Sequence, residues 1–511
     1  MLRSGLQWLR SAAGWRADLA AGVLGALSAA ALPPVHAIPM LLLAVPGLLL
    51  LIGAAPRARV AFRRGFWFGF GHHLFGLYWI TEAILVEAAH FWWLVPFAVP
   101  GLAAVLAIFI AIPCAMAWRA PAGLSRVLVF AGAWTLFDMA RQFVATGFPW
   151  NSWGSVWELP GRAGDVMIQP AAWVGVHGLT LATILLAALP VLGRRGWMAG
   201  AAALAIWIAA GSARLAGPQP RNTGQSAVLV QGNVAEGQRW DPQLMRDIFR
   251  HYLQLTHDGV DRLHGQPGVV IWPETASTYL MGRDAGARAA LMDATQGLPA
   301  LVGSLRFNAA DAPLNSLFAV IGPGPPAAVY DKWHLVPFGE YIPHWLPFPV
   351  KFGLPVSFVP GTGPETLHVP GLPPVGALIC YEAIFPGEIV DEADRPAWLV
   401  NITNDAWFGN STGPRQHLAA VRMRAVEEGL PIMRAANTGI SAAFDARGHQ
   451  LARLGMDRSG VVVVPLTGEL PPTLFSRLGL AGTAVLAFVI FLMGLGTALR
   501  FRNSADSRTN V

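Results

Sequence analysis

Charge is what this chain has least of. Asp, Glu, Lys and Arg together make up 13% of its 511 residues, against 54% hydrophobic ones, where a typical soluble domain carries about 25% charged side chains. With a mean hydropathy of +0.46, an ordinary soluble protein is excluded and much of the chain belongs in lipid. Lysine is scarcer still: it occurs only at 332 and 351, and every other basic position is Arg. Cysteine is as rare, at Cys114 in an apolar run and Cys380 in the one segment of globular composition, so no disulfide can form within that segment. No Gly-x-x-x-x-Gly-Lys-Ser/Thr string is present, so nothing signals a nucleotide cofactor. The net charge of +6 would suggest nucleic acid in a soluble protein, but the placement of the arginines gives a better account and no nucleic-acid partner is expected.

What the chain has instead is long charge-free runs. A spanning helix needs roughly 20 mostly apolar residues, and about eight segments qualify, near 17–33, 37–54, 65–86, 92–118, 124–144, 166–192, 197–213 and 478–499. Arginines gather at alternate ends of these runs: Arg3, Arg10 and Arg16; Arg57, Arg59, Arg63 and Arg64; Arg119 and Arg126; Arg194 and Arg195; Arg500, Arg502 and Arg508. The opposite loops carry Arg162 and the acidic Glu82, Glu87 and Glu158. By the positive-inside rule both termini are cytoplasmic and the segment between the last two runs lies outside. The expected organisation is a seven-helix transmembrane region over 1–215, an external domain over 216–474, and a last helix with a cytoplasmic tail over 475–511. The first run lacks a marked cleavage site and reads as an anchor rather than a removable signal.

From residue 226 the pattern changes to short β-branched runs closed by turn residues: Ala227–Val230, Val269–Trp272, Ala300–Ser304, Ser316–Ile321, Val375–Ile379 and Trp398–Ile402. Helical stretches fall at Pro242–Leu263 and Gln416–Glu428. Apolar strands alternating with helices indicate an α/β architecture with sheets buried by helices. Three polar residues stand where strands end, which is where loops gather into active sites: Glu274 after Val-Val-Ile-Trp-Pro, Lys332 after Ala-Val-Tyr-Asp, and Cys380 after Gly-Ala-Leu-Ile. Singly, each is also explained as a solvated turn Glu, a surface Lys or a buried inert Cys. Lys332 tips the balance, because a position indifferent to the kind of cation would be Arg in this chain, and Arg cannot replace a compact ammonium.

Together the three residues can perform acyl transfer. A free thiol has a pKa near 8.5 and is mostly protonated at neutral pH. A carboxylate beside it can remove the proton, and an ammonium can stabilise the oxyanion that follows attack, with the N–H of Tyr381 as a second donor. The surrounding strings resemble those of the carbon–nitrogen hydrolase (nitrilase) superfamily, in its membrane-bound, lipoprotein-acylating branch. They are Ile-Trp-Pro-Glu-Thr at 271–275, Tyr-Asp-Lys-Trp-His-Leu-Val-Pro-Phe-Gly-Glu-Tyr-Ile-Pro at 330–343, Cys-Tyr-Glu at 380–382, Asn-Asp-Ala-Trp-Phe-Gly at 404–409 and Ala-Asn-Thr-Gly at 436–439.

The resemblance implies an αββα sandwich beside the helical membrane bundle. It implies Cys380 as nucleophile, Glu274 as general base and Lys332 as oxyanion stabiliser, supported by Glu340, Tyr381, Glu382 and Trp240. It implies that a phospholipid, typically phosphatidylethanolamine, gives its sn-1 acyl chain to Cys380 as a thioester, which passes to the α-amine of a diacylglyceryl cysteine at a lipoprotein N-terminus. No cofactor or metal is needed, and the setting implied is a bacterial inner membrane with the catalytic domain in the periplasm. The alternatives are a membrane-anchored amide or nitrile hydrolase of the same superfamily, with water as acceptor, and a transporter with an external domain. A transporter would show polar residues converging at the bilayer midplane, a pattern not evident here.

Other features have plainer readings. The apolar, Pro-rich stretch 341–360 has no helix or strand period, and reads as a membrane-facing lid or as packing on the domain. Phe91, Trp92 and Trp93, and Trp150, Trp153 and Trp157, read as interfacial belts. Asp138 and Arg141, one turn apart, read as an ion pair.

Overall fold

The computed structural model describes the chain except residues 1–6, 10, 87, 237–240, 242, 345–356, 510 and 511, and the side chains of 498–509. It divides into two compact units, one of Met1–Gly217 with Arg477–Val511, the other of Pro218–Ser476.

The first unit is helical: α1 (Gly14–Ala29), α2 (Leu41–Gly53), α3 (Ala58–Gly76), α4 (Val95–Arg119), α5 (Leu124–Ala140), α6 (Ala171–Ala188) and α7 (Arg194–Leu215), with shorter turns between and a C-terminal helix, Leu474–Thr509. Among the described residues four stretches are long and apolar enough to cross a bilayer: Ala88–Arg119, Ala171–Leu192, Arg194–Leu215 and Leu474–Thr497. The other expected spans fall short for local reasons. The run at 65–86 breaks after Gly76 and resumes only as Ile80–Leu85. The run at 166–192 supplies one of the four, but only from Ala171 onward, after an interruption at Gln169–Pro170, since proline cannot donate the helical N–H. Large apolar side chains such as Ile206 and Val485 point outward, more than 60% exposed, a surface that water would not tolerate over such an area.

Between helices the packing is close because small residues face one another. A Cβ on Gly65 would lie 2.6 Å from the Cys114 sulfur, and one on Gly69 would lie 2.8 Å from the Ala107 Cα. Cys114 is therefore a fully buried spacer in the α3–α4 seam. The Asp138–Arg141 pair forms as expected and gains a partner the spacing did not suggest, His177 Nδ1 at 2.9 Å from Asp138. The expected second aromatic belt is corrected at two positions: Trp150 and Trp153 are buried, tilted against Trp79 and Trp134 respectively with ring centroids 4.7 Å apart. Trp92 and Trp93 do stay exposed.

The second unit is a four-layer sandwich. Strands β1 (Asn222–Gln231), β2 (Gly268–Ile271), β3 (Ala300–Phe307), β4 (Pro313–Val320), β5 (Ala328–Asp331) and β12 (Gly460–Thr467) form one six-stranded sheet in the order β12-β1-β2-β3-β4-β5. Strands β6 (Thr366–Leu367), β7 (Val375–Ile379), β8 (Trp398–Thr403), β9 (Ile432–Ala436), β10 (Ser441–Phe444) and β11 (Gln450–Leu454) form the other, ordered β11-β10-β9-β8-β7-β6.

The alternation of side chains along each strand decides the layers. Ala227 and Leu229 of β1 join Val375, Ala377 and Ile379 of β7 in the core between the sheets. Val228 and Val230 face outward onto Ile248, Phe249 and Tyr252 of α8 (Met245–Asp261) and Leu291 of α9 (Ala285–Ala294). Leu378 and Leu399 face outward onto Leu418, Val421 and Ala425 of α10 (Gly413–Glu428). Both faces of both central strand sets are covered, which is why these strands read as unbroken apolar runs. The strands β6 and β9 to β12 were not expected from periodicity.

Candidate active site

The α/β unit brings Glu274, Lys332, Glu340, Cys380 and Glu382 into one buried cluster. Glu274 stands on the turn leaving β2, 6% exposed. That turn crosses so close to β3 that a Cβ at Gly303 would sit 2.2 Å from the Pro273 carbonyl and 2.8 Å from the Glu274 Cα. Only glycine at 303 lets the carboxylate approach. Lys332 follows β5, tied to β4 by its N–H to the Asn315 carbonyl at 2.9 Å and capped by Gly361 N–H on its own carbonyl at 2.8 Å. Its ammonium, 1% exposed, lies 2.9 Å from Glu340 Oε1 and 3.3 Å from Glu274 Oε1. Burial opposes the charge on Lys332, but Glu274 and Glu340 outweigh it and hold the ammonium well above its ordinary pKa.

Cys380 follows β7 directly, 8% exposed, with φ at +51°. A left-handed backbone at a non-glycine residue is costly, and is held only where the surroundings over-determine it. Burial first, then the charge of Glu274, pushes its thiol up, with Lys332 pulling the other way. At rest Cys380 is thus a neutral thiol within the influence of the Glu274 carboxylate, rather than a preformed thiolate. Tyr381 packs edge-on against Phe385, ring centroids 5.2 Å apart.

Glu382 has a different job from the triad. Its carboxylate accepts from Ile379 N–H at 2.6 Å, Trp333 N–H at 2.7 Å and the Tyr330 hydroxyl at 2.9 Å. One carboxylate therefore fastens the strand end that carries Lys332 to the one that carries Cys380. Burial pushes this carboxyl up to about 7, against the pull of those donors. Glu382→Gln would turn an amide N–H toward donors already converging there, at about 1–3 kcal/mol per unsatisfied buried group. We expect melting to fall by roughly 5 °C, and by less in Tyr330→Phe, which removes one donor alone. Equal melting curves for parent and Glu382→Gln would refute the clamp.

Residues that sequence reading missed complete the site. Asn315, in the wholly buried β4, donates to Glu274 Oε1 at 2.7 Å and to Glu340 Oε1 at 3.1 Å. Its signal was available: a polar residue inside an apolar strand needs a polar partner. Asn404 N–H donates to Glu274 Oε2 at 2.8 Å, so both carboxylate oxygens are held. The hydrogen bonds aim the carboxylate, and the lysine neutralises part of its charge. Trp240 and the part of the apolar arm within 345–356 lie outside the described residues.

Comparison with known proteins gives the family of the chain. Residues 265–470 match the carbon-nitrogen hydrolase family, so the class is that of a carbon–nitrogen hydrolase domain joined to a helical, membrane-embedded region. Residues 24–189 match the apolipoprotein N-acyltransferase N-terminal domain. Apolipoprotein N-acyltransferases of Bradyrhizobium diazoefficiens and Rhodopseudomonas palustris are 38% and 37% identical, each alignment covering 94% of this chain and 95% of the relative. One from Brucella melitensis is 35% identical over 88% of this chain and 89% of its own. The chain belongs to the apolipoprotein N-acyltransferase family. Among solved structures, an amidase from Nesterenkonia sp. aligns with 49% of this chain and 93% of its own at 22% identity, with a TM-score of 0.36.

Proposed function

We propose that the protein moves a fatty acyl chain from a membrane phospholipid to the N-terminal α-amine of a lipoprotein, through a thioester on Cys380. The observation that carries the assignment of roles is the buried ammonium of Lys332 between Glu274 and Glu340, in a cluster whose charges act on the thiol. In the first half-reaction Glu274 takes the thiol proton as Cys380 sulfur attacks the sn-1 ester carbonyl. Lys332 and the Tyr381 N–H stabilise the oxyanion. The ester C–O bond breaks, the proton passes from Glu274 to the departing oxygen, and lysophospholipid leaves. In the second half-reaction the α-amine of the diacylglyceryl cysteine attacks the thioester and loses a proton to Glu274, and the thiol returns as the amide forms. Ester to thioester to amide needs no external energy source and no metal.

Phosphatidylethanolamine is the proposed donor. The test is purified protein with phosphatidylethanolamine and a diacylglyceryl lipopeptide, read for N-acyl lipopeptide by mass. Free fatty acid released without the lipopeptide would instead support a hydrolase, a reading that full-length kinship to acyltransferases does not favour.

We also propose a multi-pass topology in a bacterial inner membrane, with both termini cytoplasmic and the α/β unit in the periplasm. The arginine clusters at alternate helix ends support it. Reporter fusions after residue 60, 120 or 196 should then report cytoplasm, and fusions within 220–470 the periplasm. A cytoplasmic signal from 220–470 would overturn the orientation and deny the site its lipoprotein substrate.

A further inference from the structure

Beneath Cys380 lies a buried polar chain that the proposed chemistry does not use. His417 on α10 is 1% exposed, with Nε2 3.0 Å from the Cys380 carbonyl oxygen and Nδ1 3.0 Å from Asp405 Oδ1. Asp405, 1% exposed, takes Arg434 on its other oxygen at 2.7 Å, and the Thr403 hydroxyl lies 3.2 Å from Oδ1. Arg434 in turn reaches Asn401 and the Ile440 carbonyl. Burying an imidazole, a carboxylate and a guanidinium together costs solvation that these contacts must offset, so the arrangement calls for a purpose.

Its ends supply one. A carbonyl oxygen can only accept, so the His417 nitrogen facing Cys380 carries a hydrogen whichever state the other nitrogen has. That bond fixes the carbonyl of the residue whose φ is +51°, and so fixes where the thiol points. Asp405 directly follows Asn404, whose N–H holds Glu274 Oε2 at 2.8 Å. The space around Asp405 is also closed: a Cβ at Gly439 would fall 2.3 Å from its Oδ2. One buried network therefore touches Cys380 directly and, through the adjoining Asn404 N–H, Glu274.

We infer that His417 is a positioning residue for acyl transfer: braced by Asp405 and Arg434, its Nε2–H donates to the Cys380 carbonyl and holds the nucleophile in its left-handed, attack-ready conformation. The inference rests on Cys380 being the acylated residue, as proposed above. A misplacement of about 1 Å in a reacting group can cost about 10²-fold in rate, which sets the expected size of the effect.

Two isopolar variants separate positioning from folding. Gln carries its amide nitrogen where His has Nε2 and keeps a donor for Cys380. Asn carries its nitrogen near the Nδ1 position and keeps only the side toward Asp405. With phosphatidylethanolamine in detergent micelles as the sole substrate, the rate constant for acyl adduct formation is measured across phospholipid concentrations. His417→Gln should stay within about 10-fold of the parent, and His417→Asn should fall about 10²-fold with an unchanged half-saturating concentration. An Asn variant that matches the Gln variant, or a loss that appears in half-saturation rather than in rate, overturns the inference. If the Asn variant does not fold, a folded His417→Gln protein slowed by about 10²-fold or more overturns it alone, and one within about 10-fold upholds it. A parent protein that forms no hydroxylamine-sensitive adduct would instead bring down the acyl-thioester reading itself.

Discussion

Phospholipid alone should add one acyl mass to the protein, on Cys380, and neutral hydroxylamine should remove it. That result is expected because transfer through a thiol splits one difficult step into two easier ones, so the intermediate persists when the amine acceptor is withheld. The site also limits leakage to water: Cys380 is 8% exposed and Lys332 1%. Cys380→Ala should show no adduct at all. The only other thiol cannot substitute, since Cys114 is fully buried in the seam between α3 and α4, its sulfur in the space a Cβ on Gly65 would need. Intact-protein mass spectrometry of parent and variant decides the matter, and an adduct on Cys114 in the Cys380→Ala protein would remove the mechanism.

Substitutions at the other two triad positions should be nearly as severe. Glu274→Gln keeps shape and volume but cannot take the thiol proton, and general-base assistance is commonly worth about 10² to 10⁴ in rate. The loss should be large, because burial, the largest influence on the Cys380 thiol, still keeps it protonated at rest. Lys332→Arg keeps the charge and should still fail. The ammonium occupies a point 2.9 Å from Glu340 and 3.3 Å from Glu274, and its backbone is pinned on both sides by Asn315 and Gly361. A planar guanidinium needs more room and a different fan of acceptors. Losing one oxyanion donor commonly costs about 10² to 10³ in rate, and we expect at least that from Lys332→Arg in single-turnover acylation. Activity near the parent's in Lys332→Arg would mean that any cation suffices, and would dissolve the argument that lysine is chemically chosen here.

Much of the site was legible because its chemistry is local in sequence. Glu274, Lys332 and Cys380 each end an apolar strand, and that pattern survives without knowing how the strands pair. Asn315, His417 and Arg434 were hidden for the opposite reason. Each looks, in its own segment, like a polar residue on a strand or helix, and its role depends on a partner 41, 37 or 29 residues away. The membrane helices show a related gap. Hydropathy registers apolar length, but it does not register the helix break at Gln169–Pro170, the stop after Gly76, or the burial of Trp153 against Trp134.

The strands β9 and β10 escaped notice because Ile432–Ala436 carries buried Arg434 at its centre and Ser441–Phe444 opens on buried Ser441. Among the partners of those polar groups are Asn401, Asp405 and Gln231, from other strands or loops. From the sequence by itself follow the lipid-bound character of the chain, the α/β nature of its second half and the Glu, Lys and Cys proposed to do the chemistry, because composition, period and residue type are properties of short segments. Only the tertiary structure decided that Lys332 is shared between two carboxylates, that Glu382 joins two strand ends, and that a His–Asp–Arg chain reaches the Cys380 carbonyl. Hydrogen bonds of 3 Å between residues distant in sequence exist only once the two sheets have packed.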